Sequence, residues 1–279
     1  MIVDSLRVAW AWIRKSNARI VGIVILIAFI MIAIFSGAIA PYAMSQHFGQ
    51  FLHPSGTHLL GTDDLGRDIF SQVILGTTIS LQIGFLAAFI SLAIGVLVGV
   101  VAGYYRGKTE QVLLTITDVA IVIPTLPLLL ILVMYLDRGV VSMAVAISIV
   151  GWCGMARMLH PRVMNLKEQS FIETARSLGK SDLYIIFKHI IPNCKDVIAA
   201  RFSLAVGGAI LAESGMAFLG FGNPLQLSWG AIINEAYTHG AIPLGLWWWY
   251  IVPGALIAII ILTFMMIGTS RDEEKWVAK

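Results

Sequence analysis

Gly107-Lys108-Thr109 and Gly179-Lys180-Ser181 each set a glycine, a lysine and a hydroxyl residue side by side, as a loop that grips nucleotide phosphates does. Such a loop reads G-x-x-x-x-G-K-[ST], so that consecutive backbone N–H groups surround the anion and the lysine reaches it. Ala102 and Thr174 stand where the first glycine belongs, and neither stretch follows a buried strand pattern. The chain therefore carries no nucleotide-hydrolysing site of its own. It also lacks G-x-S-x-G and H-E-x-x-H patterns and any clustered Cys/His metal signature. His47, His53 and His58 share one segment, but their spacing fits no single helix face, and they read as solvated loop histidines. Asp63, Asp64 and Asp68 do not fall on the positions of a calcium loop. Cys153 and Cys194 make no disulfide framework and read as packing residues. No metal site or catalytic residue is expected.

The elements around these residues belong to a membrane. The chain is 58% hydrophobic and 13% charged, with a mean hydropathy of +0.85, far from the balance of a soluble domain. A bilayer core of about 30 Å needs roughly 20 apolar helical residues. Six runs qualify, near Ile20–Ala40, Ile79–Tyr104, Gln111–Leu136, Val140–Met158, Ile198–Leu219 and Trp247–Gly268. The expected fold is an all-α polytopic membrane protein with six transmembrane helices. The first run is too long for the apolar segment of a cleaved signal, and Leu6 to Ile13 could lie along the inner surface or simply anchor the first helix.

All but Arg67 and Arg138 of the 19 Lys and Arg fall before the first run, between the second and third, after the fourth, or in the tail. Positive charge marks cytoplasmic loops. Both termini are therefore expected in the cytoplasm, around a cell (inner, cytoplasmic) membrane domain over 20–270, with an N-terminal segment 1–19 and a tail 271–279. Charges lining one membrane face do not make a nucleic-acid binder.

Glu213 falls near the middle of its predicted span, where an ionised side chain costs about 2.5–3.5 kcal/mol. It must face protein or water. A pathway residue, an interhelical hydrogen bond and a neutral buried acid each meet that requirement, and the hydrogen bond is the working reading. Asp118 lies roughly 10 Å from the cytoplasmic end of its span, within reach of interfacial water. Gly95, Gly99 and Gly103 form a small-residue face for close helix approach. Pro124 and Pro127 interrupt the third span, Gly207-Gly208 loosen the fifth, and Trp247 to Trp249 anchor the sixth at the outer interface.

Residues 159–194 form a polar island too long for a mere connection. From Gln169 an amphipathic helix with Phe171, Ala175 and Leu178 on one face ends at Gly179. Ser181 or Asp182 then caps a second helix carrying Leu183, Ile185, Ile186, Phe187, Ile190 and Ile191 up to Pro192. Two short surface helices suit a docking site for a cytoplasmic partner.

Glu173-Thr174-Ala175, Gly179 and His189-Ile190-Ile191-Pro192 resemble the EAA signature of permease subunits of ATP-binding-cassette importers, with Thr174 and His189 departing from the usual residues. Leu60-Gly61-Thr62-Asp63-Asp64-Leu65-Gly66-Arg67-Asp68 is similar to the external segment of the dipeptide, oligopeptide and nickel permeases, and of their C-type subunit in particular. Asp118 with Pro124, Gly151-Trp152 to Ala156-Arg157, Glu213 with Phe218-Leu219-Gly220, Ser228-Trp229-Gly230 and Pro253-Gly254 extend the likeness over roughly residues 55 to 270. The tail after Gly268 only partly follows the family ending.

This resemblance implies a type I importer: a second homologous permease, two cytoplasmic ATPase subunits that bind ATP-Mg, and an external solute-binding protein. It implies that Glu173, Thr174, Ala175, Gly179, His189 and Pro192 couple to an ATPase, and that this chain holds no cofactor. Asp63, Asp64 and Asp68, with Trp229, Asn234 and Glu235, are expected on the outer face, where they would meet the binding protein. Peptide is the first expectation for the solute, with nickel chelates and oligosaccharides as alternatives. An ion-coupled transporter using Glu213, or an intramembrane enzyme, would be the rival classes.

Overall fold

A computed structural model describes residues 17–269, apart from 138 and 225. The segment Leu6 to Ile13, the basic residues Arg7, Arg14, Lys15 and Arg138, and the tail from 270 onwards lie outside the described residues. The helices are α1 (Asn17–Ile34), α2 (Ile69–Tyr105), α3 (Gly107–Val122), α4 (Thr125–Tyr135), α5 (Val140–Gly151), α6 (Cys153–Lys167), α7 (Ser170–Ser177), α8 (Asp182–Ile185, continued by Ile186–Ile190 and Ile191–Asn193), α9 (Lys195–Met216), α10 (Trp229–Thr238) and α11 (Trp247–Gly268). Among the described residues no strand forms; Thr62 and Asp68 make one isolated antiparallel bridge.

Four helices are long and apolar enough to cross a membrane: α1, α2, α9 prolonged to Phe221, and α11. The pairs α3–α4, bent by 91°, and α5–α6, bent by 45°, bring the number to six when each pair counts as one span. The first bend is sharper than the interruption expected from sequence. Ile123 is extended (φ −68°, ψ 125°) before Pro124, because the proline ring disfavours the helical region for the residue preceding it. Pro124 thus ends α3, whereas Pro127 sits in the first turn of α4, where no intrahelical N–H bond is required.

Helix α2 begins at Ile69, well before the predicted Ile79, and its 37 residues extend roughly 55 Å. That is longer than a bilayer core of about 30 Å, so part of the helix projects beyond it. Its small-residue face packs as expected: Cβ atoms added to Gly95, Gly99 and Gly103 would lie 2.7, 2.9 and 2.7 Å from the carbonyl oxygens of Trp152, Ala156 and His160. Glycine is what lets α2 and α6 touch backbone to backbone. The other long faces of α2 pack on α5 and α9, so α2 is the axis of the bundle.

Two expectations for the other spans change. Helix α9 runs unbroken through Gly207-Gly208, and the irregularity falls later, in the widened turns Ala217–Phe221 with Gly220 at φ 88°. Of the three tryptophans, only Trp247 is exposed; Trp248 packs on His53, ring centroids 5.2 Å apart, and Trp249 is fully buried. The cap formed by residues 41–68 covers the position where a lipid interface was expected.

Candidate functional site: a helical docking end and a capped end

At one end of the bundle, α7 and α8 stand on α6 and on the last turns of α2. Helix α7 starts after Gln169 and stops in a Schellman turn: Gly179, at φ 74°, donates to Arg176 and Lys180 donates to Ala175. Without a Cβ, Gly179 takes that conformation at no steric cost. Ile172 and Ala175 are buried with Tyr104, Leu159, Val163, Ile185 and Ile190. Phe171 and Leu178 instead point outward, 41% and 72% exposed, so they do not share the buried face of Ala175 as the single apolar face expected from sequence requires. Ile172, one position on from Phe171, fills the space under the helix with Ala175.

Glu173 and Thr174 lie on the exposed side of α7, Glu173 in its first turn, where the helix dipole favours a carboxylate. The Thr174 hydroxyl donates to the Ser170 carbonyl. Ser181 caps α8 by accepting from the Tyr184 N–H. A wider π turn over Ile186–Ile190 precedes Pro192, which has no N–H to donate back to that turn. His189 stands between the Phe171 and Tyr184 rings at 6.2 and 5.8 Å. With Leu183 and Phe187 at 63% and 68% exposure, the two short helices present an apolar rim around the acidic and hydroxyl groups of α7.

A junction that spacing alone did not reveal locks this end to α2. The Tyr104 hydroxyl donates to Asp182 at 2.6 Å, Lys167 donates to the Tyr104 carbonyl, and Arg176 reaches the Tyr104 hydroxyl at 3.5 Å. Beside it, Arg106 pairs with Glu168 at 2.6 Å. Asp118 pairs with Arg157 at 2.6 Å and Glu110 with His160 at 2.8 Å, tying α3 to α6. Asp118 thus has a partner in this chain, in a half-exposed pair.

At the opposite end, the segment between α1 and α2 folds over the bundle. Asp63 is fully buried and accepts from the Arg67 side chain, from Gln72 and from the Leu65 and Arg67 N–H groups. Asp68 is also buried; it caps α2 through Ser71 and meets His58 Nδ1 at 2.9 Å. These two carboxylates hold the cap together rather than present themselves outside, and His58 is a buried partner rather than a solvated loop residue. Trp229 is buried too, its indole N–H donating to the Val73 carbonyl. Asp64 lies 3.4 Å from His239.

Arg67 reaches on to Glu235 of α10 at 2.8 Å. Burial pushes the Glu235 carboxyl above the ordinary carboxylate range, although the Arg67 guanidinium opposes the shift. Arg67 itself is pushed up, because the attraction of Glu235 and Asp63 outweighs its own burial.

Glu213 lies in the last regular turn of α9, eight residues before the end of the span at Phe221, and is 1% exposed. Ser214 donates to it at 3.3 Å, and it borders a cavity of ≈ 20 Å³ with Asp137, Ser142, Asn223 and Ser228, room for about one water. Among the described residues no group of three or more His, Cys, Asp or Glu is arranged to hold a metal.

These features place the chain in a class. Residues 95–271 match the profile of the binding-protein-dependent transport system inner membrane components, and the chain belongs to that family. It is a permease subunit of an ATP-binding-cassette importer, a non-catalytic component of the inner membrane. Among its relatives, the glutathione transport system permease protein GsiD of Escherichia coli O6:K15:H31 (strain 536 / UPEC) is 35% identical over 263 residues, covering 93% of this chain and 86% of that protein. The oligopeptide transport system permease protein OppC of Bacillus subtilis (strain 168) is 33% identical over 261 residues, 91% of this chain and 84% of that one. The dipeptide transport system permease protein DppC of the same organism is 32% identical over 268 residues, 95% and 83%. In fold, the chain is similar to the inward-facing MetNI methionine ABC transporter, with a TM-score of 0.60 and 17% identity over 76% of this chain and 98% of that one.

Proposed function

We propose that this chain is the C-type permease of an ATP-driven peptide importer, forming the translocation path with a second homologous permease. Two cytoplasmic ATPases that bind ATP-Mg and an external solute-binding protein complete the assembly. The observation that carries this reading is the exposed Glu173–Thr174 face of α7, ringed by Phe171, Leu178, Leu183 and Phe187. An exposed apolar rim around a charged centre fits a protein partner, and the α7–α8 unit is packed on α6 and α2, so displacement of the rim moves the bundle. Glu173 supplies the polar contact, Ala175 and Gly179 set the helix and its stop, and His189 and Pro192 shape the return into α9.

The basic residues concentrated near α6, α7 and α8 support a cytoplasmic position for that end by the positive-inside rule, and the same rule supports both termini on that side. The cap then faces outward, and Asp64, Asn234 and the rest of its outer surface meet the binding protein. Glu213 and Asp118 act as helix-holding groups on this reading. Peptide as solute rests on the relatives named for glutathione, oligopeptide and dipeptide transport.

The test is the composition and ATPase rate of the assembly that co-purifies with this chain, with and without Glu173→Ala. A second permease and ATPase subunits are expected. The variant should lower hydrolysis or assembly by about tenfold, the scale of one lost charge-assisted hydrogen bond. A chain that purifies alone and moves solute when driven by an ion gradient would overturn the proposal.

A further inference from the structure

Between α2, the α5–α6 bend and α9 lies a cavity of ≈ 120 Å³, walled by Ser91, Gly151, Met155, Arg201 and Leu204 among others. By the measure under which one water needs about 10–15 Å³, it has room for a small polar group with several waters. Arg201 and Ser91 supply its polar side chains; the remaining wall is aliphatic, thioether or glycine. The Arg201 guanidinium lies against Gly154, where any added side chain would collide with it, and the Ser91 hydroxyl lies 2.7 Å from where a Cβ on Gly151 would be. The bend therefore leaves space for these two groups. Among the described residues neither forms a hydrogen bond or an ion pair.

The depth of the site makes that arrangement informative. The first turn of α10 closes over α2 at Ser80, which accepts from the Trp229 N–H. Ser91 lies about three turns, roughly 16 Å, beyond Ser80 and roughly 20 Å before the α2 terminus at Tyr105. Arg201 lies in the second turn of α9, six residues and roughly 9 Å from the start of that helix, and its guanidinium is held between the spans. A cation there without a resident anion is costly, and such residues mark pathways. The planar fork of an arginine matches a carboxylate in a two-point contact.

We propose that Arg201, with Ser91, forms a transient site for the free carboxylate of the transported solute, an inference that rests on the peptide-importer reading above. The solute carboxylate would neutralise the guanidinium in transit and leave it as the path reopens, and Ser91 would donate the second contact.

The experiment uses the complete importer in proteoliposomes and compares ATP-driven uptake of trialanine and of its C-terminal amide by the wild type, Arg201→Gln and Arg201→Lys. The glutamine variant should slow trialanine by about tenfold to a hundredfold, the loss of one charged hydrogen-bonding pair, and leave the amide unchanged, with lysine in between. Equal loss on both peptides, or no loss on either, would overturn the site. In parallel, phenylglyoxal labelling of Arg201 in the same assembly should be slowed by trialanine and by acetate but not by the amide. If the wild type takes up neither peptide, the solute assignment fails, and labelling still decides the site: no protection overturns it.

Discussion

Arg67 faces two carboxylates directly, Asp63 and Glu235, with Asp64 close to the second. One guanidinium cannot compensate all of that negative charge, so the burial cost appears on Glu235, whose carboxyl holds its proton more tightly in the folded chain than in the unfolded one. The stability that this proton confers is fully present below the ordinary carboxylate value of 4.5 and is lost as pH rises through the higher folded value. The melting temperature of the detergent-solubilised protein should therefore carry a downward component as pH climbs across that window. Glu235→Gln, which keeps an acceptor for Arg67, should remove that component; an unchanged slope would sink this account.

The close packing of α2 on α6 makes its own prediction at the scale of elements. Gly99→Val would drive a branched side chain into the Ala156 backbone, where even a Cβ would sit at 2.9 Å, and overpacking of this kind costs ~1–3 kcal/mol. Gly208 meets nothing within 4 Å of an added Cβ, so Gly208→Ala in the same bundle should leave the melting temperature unchanged or raise it. Equal melting temperatures for Gly99→Val and wild type would show that the two helices separate more readily than their backbone contact implies. The α3–α4 bend belongs to the same scale, because a single residue held extended before Pro124 turns one apolar run into two helices at a right angle.

Across the whole molecule, the two ends differ in construction. The capped end is held by buried carboxylates and one guanidinium, whereas the docking end is held by an apolar core and the Tyr104 junction. That junction joins the axis of the bundle to the α7–α8 unit, and a shift imposed on the rim would pass through it to α2. Tyr104→Phe removes the hydroxyl that bridges to Asp182 while keeping the ring in the core. In the assembled importer it should lower the ratio of solute-stimulated to basal ATP hydrolysis without changing subunit composition. An unchanged ratio would mean that α6 packing alone carries the motion.

Several features were legible in the chain because they are local. The apolar runs, the turn at Gly179, the cap at Ser181, the small-residue face of α2 and the spacing of Glu173 to Pro192 each depend on residues a few positions apart, where helical period and capping chemistry act. The tertiary structure decided what depends on distant partners. Asp63 and Asp68 look like surface acids until Gln72, Arg67 and His58 are seen around them. Tyr104 carried no signal in its neighbours, while Asp182 read only as a helix cap and Arg201 only as one of the basic charges. Burial and pairing are set by contacts across the bundle, and one-dimensional spacing does not encode which helix face meets which.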